Sequence, residues 1–346
     1  MKLIKGLLDL TYKILDGNKF LKPFKPVVDA ADSFFFGTDN VTLAAPHIRD
    51  NIDLKRYIIT VFIAILPCAA MGVYLYGSRV IGLIAVSYIF GGACEAAFAV
   101  VRKKEIHEGF FLTGIIFPLI LPPTTPYWMA AVGIVIGVVF GKEVFGGTGK
   151  NIFNPAMVGR IFLAVAFPVE MTTKWKVPFV DALTSATPLI DFKGTQALTS
   201  GWDLLIGNIP GCVGETCKIV IILGGIFLII TKVANWRVPV SYIGTVCVLS
   251  FIFNRIWPHN FAPPIFQLLS GGLLFGAVFM ATDPVTSPFT QGGRWIFGVL
   301  LGVLTLCIRG FSGYVEGVMF AIIFMNIFAP IIDQAVLSFR YRDAGK

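Results

Sequence analysis

The chain has 346 residues, 56% of them hydrophobic and only 14% charged, and carries a net charge of +8. Soluble domains run near a quarter charged, so this composition, with its mean hydropathy of +0.79, excludes a soluble enzyme and indicates an integral membrane protein. The positive charge lacks the aromatic–basic interleaving of a nucleic-acid binder, so no nucleic-acid partner is expected.

Residues 1–56 form a basic N-terminal segment. Lys2, Lys5, Lys13, Lys19, Lys22 and Lys25 alternate with Leu, Ile, Tyr and Phe at roughly helical spacing. This pattern suits an amphipathic segment on the anionic cytoplasmic leaflet or on a partner; a disordered tail is the alternative for the first dozen residues. No cleavable signal is visible, because Lys2 and Lys5 flank only a short apolar patch.

Beyond this segment, apolar runs are counted against the roughly 20 residues a spanning helix needs. Clear runs lie at 57–77, 80–101, 128–145, 219–235, 238–254, 294–309 and 314–332, and shorter ones at 109–121, 155–169 and 264–281. The expectation is an all-α polytopic protein of about ten transmembrane helices. Its first membrane unit covers 57–169, its second 216–335, and a short tail 336–346. Four cysteines, Cys68, Cys94, Cys247 and Cys307, fall inside apolar runs as small hydrophobes. Cys212 and Cys217 sit in a Gly-rich turn; without His partners, two unbonded thiols are the favoured reading over a disulfide or a metal site.

Orientation follows from the basic residues. With ten spans both termini share a side. Most of the 28 Lys and Arg fall on that side, including the tail, Arg102-Lys103-Lys104, Lys142, Lys150, Lys232, Arg237, Arg294 and Arg340. The termini are therefore expected in the cytoplasm and segment 170–215 outside.

The two membrane units share features in the same order. Phe117-Pro118 through Pro126 aligns with Phe279-Met280 through Pro288, and each is followed by a Gly-x-x-x-Gly pair, Gly133/Gly137 and Gly298/Gly302. Such pairs allow close helix contact. Asn151-Ile152-Phe153-Asn154-Pro155 is echoed by Asn326-Ile327-Phe328-Ala329-Pro330. Five spans per unit invert the second copy, and short Pro-broken segments at matching positions mark a site between the halves.

The longest polar interruption holds Asp181-Ala182-Leu183-Thr184-Ser185-Ala186-Thr187-Pro188-Leu189. By itself this stretch suits an exposed Ser/Thr-rich loop. It also resembles the Asp-x-x-[Ser/Thr]-[Gly/Ser]-Ala-Thr sequence on which bacterial flavin transferases attach FMN. Buried acids are the independent signal for ion handling. Glu95 lies in the second apolar run after Gly91-Gly92, Asp283 in the loop after Phe279, and Asp333 at the end of the last run. Each has a plainer role open to it: an interior ion pair for Glu95, a helix cap for Asp283, an interfacial position for Asp333.

Taken together, the chain resembles the B subunit of the sodium-translocating NADH:quinone reductase family. The resemblance rests on His47-Ile48-Arg49-Asp50 through Arg56, Gly109-Phe110-Phe111, the run from Pro122 to Trp128, Lys142-Glu143-Val144-Phe145-Gly146-Gly147-Thr148-Gly149 and Asn154-Pro155-Ala156. Gly207-Asn208-Ile209-Pro210-Gly211, Trp236-Arg237 and Met280-Ala281-Thr282-Asp283-Pro284 extend it. The D subunit of the Rnf ferredoxin:NAD complex is similar in the core. The short first connection, and Ser185 where the family has Gly, depart from its pattern.

The resemblance implies two inverted five-helix repeats in a urea-transporter-like bundle in the bacterial inner membrane. It also implies an electron-relay and ion-translocation subunit of a redox complex that passes electrons from NADH to quinone and pumps Na+. FMN would be joined to Thr187 as a phosphoester, with Asp181, Thr184, Ser185 and Ala186 completing the motif that the flavin transferase reads. Riboflavin is implied as a second cofactor. Gly91 and Gly92 would border the quinone, and Glu95, Asp283 and Asp333 the ion path. A flavin-free solute channel and a purely structural assembly subunit are the readings of another class.

Overall fold

The computed structural model describes residues 2–17, 54–103, 109–180 and 186–342, together with the isolated positions 25, 28 and 32. Of the attachment motif, Asp181, Thr184 and Ser185 lie outside the described residues, as does most of the segment His47–Arg56.

Helix α1 spans Lys2–Gly17, at the place of the expected amphipathic segment. Then come α2 (Leu54–Tyr76), α3 (Arg79–Arg102), α4 (Gly109–Leu119), α5 (Tyr127–Gly141) and α6 (Pro155–Ala166). Three short helices follow: α7 (Pro168–Thr172), α8 (Pro188–Thr195) and α9 (Gly201–Ile206). The remainder is α10 (Lys218–Ile230), α11 (Arg237–Ile256), α12 (Pro264–Leu269), α13 (Gln291–Phe311) and α14 (Val318–Arg340). A single turn at Leu273–Phe275 and a π-turn at Gly276–Met280 follow α12. Local signals set several starts. Asn154 caps α6 by accepting from Ala156 N at 3.1 Å, with Pro155 in the first turn, and the Thr290 hydroxyl caps α13 by accepting from Gly293 N at 3.1 Å.

Among the described residues, six helices are long and apolar enough to cross a membrane: those at α2, α3, α5, α11, α13 and α14. Three of the expected ten spans, α4, α6 and α10, are shorter apolar helices. The run 264–281 is not one helix at all, because Ser270 is extended and Gly271 takes φ +64° between α12 and the next turn.

Three neighbour pairings recur in the two halves. In the first, α3 packs on α4 and α5, and α5 on α6; in the second, α11 packs on α12 and α13, and α13 on α14. Across the halves α2 meets α10, and α6 meets α14. Both Gly-x-x-x-Gly pairs sit at close helix contacts, as their spacing leads one to expect, but on different partners. A Cβ at Gly137 would collide with the Pro155 carbonyl of α6, and one at Gly298 with Ser241 of α11.

Irregular backbone deep in such a bundle must find its hydrogen bonds from protein, and it does. Where α4 stops, Gly214 N donates to Leu119 O at 2.7 Å and Val213 N to Leu121 O at 3.1 Å. Arg160 Nε donates to Ile120 O at 3.0 Å. Where α12 stops, Arg309 donates to Gln267 O at 2.7 Å and Ser270 O at 3.2 Å, and Lys218 Nζ donates to Gly271 O at 2.7 Å. Buried cations thus cap the carbonyl ends of both broken helices, where the helix dipole also favours positive charge.

Candidate functional site: a buried cavity opening at Thr187

Thr187 is half-buried and extended (φ −70°, ψ 155°), the residue from which α8 starts. Its carbonyl accepts from Asp191 N at 2.9 Å, while its hydroxyl makes no capping bond to the helix. Pro188 fixes the first turn, leaving the N–H groups of the next residues pointed back toward the Thr187 side. A phosphate esterified there would lie at the positive end of a helix, where anions are stabilised. Ala186 is half-buried beside it.

Thr187 lines a cavity of about 340 Å³. The cavity is walled by Trp175, Ile209, Pro210, Met319 and Phe320, and Arg160, Glu215, Lys218 and Glu316 reach it from the interior. Its volume lies at the lower end of the roughly 300–1,000 Å³ usual for small-molecule sites, and its mix of apolar wall and few polar groups is that of a ligand pocket. Residues 211–218 are buried throughout, uncommon for a connecting segment. Tyr76 OH donates to Ile209 O at 3.3 Å and to Gly211 O at 3.4 Å, which holds this segment against α2. Burial, and then the charge of Glu316, push the Glu215 carboxyl up to about 7. Burial likewise raises the Cys212 thiol. Cys212 and Cys217 are buried and unbonded.

Glu95, Asp283 and Asp333 gather at the opposite end of the bundle. The buried positions of α3 are Val80, Leu83, Ser87, Gly91, Glu95 and Ala99, a stripe at helical spacing that faces α5. Gly91 is on that stripe, and a Cβ there would lie 3.0 Å from Ile134. Gly92 is off it, near Phe110. Glu95 Oε1 lies 2.6 Å from Lys142 Nζ, both side chains nearly inaccessible, and Arg102 pairs with Glu143 at 3.0 Å beside them. The compensating cation for Glu95 is therefore in the protein: of its two readings, the ion pair is what the structure shows.

Lys142, Asp283, Asn154 and Thr148 line a crevice at this end. Asp283 accepts from Val285 N at 3.1 Å in a local turn rather than capping a helix, and burial raises its carboxyl. Asp333 is not a surface group: it accepts from Phe289 N at 2.8 Å and Thr290 N at 3.0 Å, tying α14 to the start of α13. It borders a second crevice with Lys150 and Pro284. Gly146, Gly147 and Gly149 all take positive φ, so that turn needs glycine for its backbone, and its Thr148 packs on Gly109.

Arg160, Lys142, Glu215, Lys218, Arg309 and Glu316 were not among the expected site residues. The signal was present, since Arg160 and Arg309 are charges inside apolar runs, but basic residues in such a chain read first as markers of orientation.

The pattern of the NQR2, RnfD, RnfE family matches residues 41–342. The chain belongs to that family. A relative from Klebsiella pneumoniae (strain 342), named as the B subunit of a Na(+)-translocating NADH-quinone reductase, is 37% identical over 382 aligned positions, covering 92% of this chain and 93% of its own. Relatives of the same name from Ectopseudomonas mendocina (strain ymp) and Yersinia pestis are 38% and 35% identical, and each alignment covers 96% of this chain. The family match spans the cavity, the break after α4 and the Glu95–Lys142 pair alike.

Proposed function

We propose that this chain is the membrane electron-relay and ion-translocation B subunit of a sodium-translocating NADH:quinone reductase, carrying FMN esterified to Thr187. The observation that carries this reading is the position of Thr187: its hydroxyl is free of the helix it precedes, and it opens on a buried cavity of ligand size. FMN, when bound, supplies a one- or two-electron carrier. The start of α8 would hold its phosphate, Trp175, Met319 and Phe320 would line the apolar space open to it, and the buried segment 211–218 would exclude water.

Two inverted units of five elements, α2–α6 and α10–α14, account for the parallel neighbour scheme and give the protein a urea-transporter-like plan. The Thr187 end lies outside and the Lys142 end in the cytoplasm of a bacterial inner membrane, in keeping with the basic-residue asymmetry. Quinone meets the bundle along the Gly91-Gly92 face, and Na+ passes the acids Glu95, Asp283 and Asp333. The other subunits of the complex, the flavin transferase and riboflavin complete the set of partners.

The test is a denaturing gel viewed under ultraviolet light. The full chain co-expressed with a flavin transferase should fluoresce, and Thr187→Ala should lose the fluorescence while still accumulating in the membrane. A dark wild-type band would refute the reading and leave a flavin-free channel. Asp181→Ala should lower flavin occupancy, because the transferase reads that residue.

A further inference from the structure

The Thr187 cavity holds a set of polar groups that the fold itself does not use up. Arg160 is 4% exposed. Its Nε caps Ile120 O, but its Nη1 is buried without a hydrogen-bond partner. Arg309 shows what a satisfied counterpart looks like. Its Nε donates to Glu316 O at 3.0 Å, its Nη1 to Gln267 O and Oε1, and its Nη2 to Ser270 O. An orphaned guanidinium nitrogen in a buried site is costly unless something fills the vacancy in its bonding.

Two carboxylates face the same space. Glu215 Oε1 accepts from Cys212 N at 2.9 Å, and Glu316 Oε1 from Gly272 N at 2.9 Å. Their second oxygens converge over Gly272, where a Cβ would lie 2.5 Å from Glu215 Oε2 and 3.3 Å from Glu316 Oε2. Among the described residues neither carboxylate forms an ion pair, because Lys218 and Arg309 donate to backbone carbonyls and Gln267 instead. A second, small cavity of about 30 Å³ is lined by Arg160, Glu215, Gly272 and Glu316, and Arg160, Glu215 and Glu316 also line the main cavity. One guanidinium and a pair of acids therefore stand together in the cavity that Thr187 also lines. Burial and the neighbouring Glu316 charge keep Glu215 partly protonated near neutrality, which eases the repulsion between the two acids.

An imide, a ring N–H flanked by two carbonyls, presents an edge of acceptor, donor, acceptor, which a guanidinium, a carboxylate and a protonated carboxyl together complement. The isoalloxazine ring of a flavin carries such an edge on its pyrimidine side. We propose that Arg160 and the Glu215–Glu316 pair are positioning residues that clamp the imide edge of the flavin ring, Arg160 and one acid of the pair donating to the two ring carbonyls and the other acid accepting from the ring N–H. This rests on the flavin reading above and goes beyond it, since attachment at Thr187 alone leaves the ring unplaced.

The experiment uses the full chain, co-expressed with a flavin transferase and purified in detergent. Covalent flavin is counted by fluorescence after denaturation, and ring burial by iodide quenching and the visible spectrum of the folded protein. In Arg160→Met and Glu316→Gln, quenching is normalised to covalent flavin. Their quenching should rise roughly threefold or more, because ligand pockets cover about 70–90% of their occupant and an unclamped ring swings out. Arg160 also caps α4, so Arg160→Met could fail to accumulate. Arg160→Lys then decides, because it keeps the charge but loses the guanidinium fork whose Nε and Nη1 are separate donors. Wild-type quenching and spectrum in Arg160→Lys and Glu316→Gln would overturn the clamp. A wild-type chain without covalent flavin would instead overturn the underlying reading, so the two failures are distinguishable.

Discussion

Glu95 shows how far a single residue can be read from sequence. A carboxylate in an apolar run demands compensation, and that demand was legible. Its answer was not, because Lys142 comes from the far end of another helix. The pair makes a sharp prediction. Removing one partner of a buried ion pair costs about 3–5 kcal/mol, whereas replacing both with apolar groups is often neutral. Glu95→Gln should therefore lower the thermal midpoint of the purified chain, and adding Lys142→Met should restore most of the loss. An additive loss in the double variant would mean that the 2.6 Å contact contributes no coupling. If Glu95 also admits sodium, Glu95→Gln should need more sodium to reach half of the assembled complex's turnover, normalised to covalent FMN. An unchanged sodium curve would take Glu95 off the ion path.

Glu215 gives a second test at this scale. Its carboxyl rises from an ordinary value of 4.5 to about 7 in the folded chain. The folded state holds the proton longer than the unfolded state, so this group's stabilising share is full below about 4.5 and is lost as pH rises through about 7. The thermal midpoint in detergent should fall across that window in wild type, and Glu215→Gln, which cannot ionise, should flatten the fall. A curve for Glu215→Gln parallel to wild type would show that another group sets the dependence.

At the scale of elements, the Gly-x-x-x-Gly pairs announced close helix contacts, and the contacts are there. The identity of the partner was beyond the pattern, since a small-residue face says only that something approaches. Gly133, Gly137 and Gly159 form one such crossing between α5 and α6: a Cβ at Gly159 would run into the Gly133 carbonyl, and one at Gly137 into the Pro155 carbonyl. Backbone atoms cannot swing aside, so Gly159→Ala should cost about 1–3 kcal/mol from overpacking. Gly244→Ala on α11, with open space at its Cβ, should change the midpoint little. Equal effects at the two sites would contradict the packing described. The helix breaks were also legible, as Pro and Gly clusters; what satisfies them was not. The caps Arg160, Arg309 and Lys218 lie far in sequence from Ile120, Gln267, Ser270 and Gly271, apart from any local motif.

For the whole molecule, composition alone gave the membrane class, and hydropathy gave the place of every apolar element. The count of full spans was less legible. Hydropathy records that α4, α6, α10 and the run 264–281 are apolar but not that they stop short, because half-helices buried in protein are as apolar as complete ones. The cavity was invisible for a related reason, as it is assembled from α6, the segment before α10 and the loop before α14, which only the folded chain brings together. The orientation proposed for this assembly predicts that a cysteine at the exposed Ser200, in a background lacking native cysteines, reacts with a membrane-impermeant thiol reagent in intact cells. Labelling only after permeabilisation would reverse the topology.

The central claim is that Thr187 carries the flavin into this cavity. The most direct measurement is the mass of the tryptic peptide 177–193 from the full chain co-expressed with a flavin transferase. The peptide should be heavier by one FMN less one water, with fragmentation placing the addition on Thr187, and the Thr187→Ala peptide should be unmodified. An unmodified wild-type peptide, or an addition that persists in Thr187→Ala, would contradict the claim.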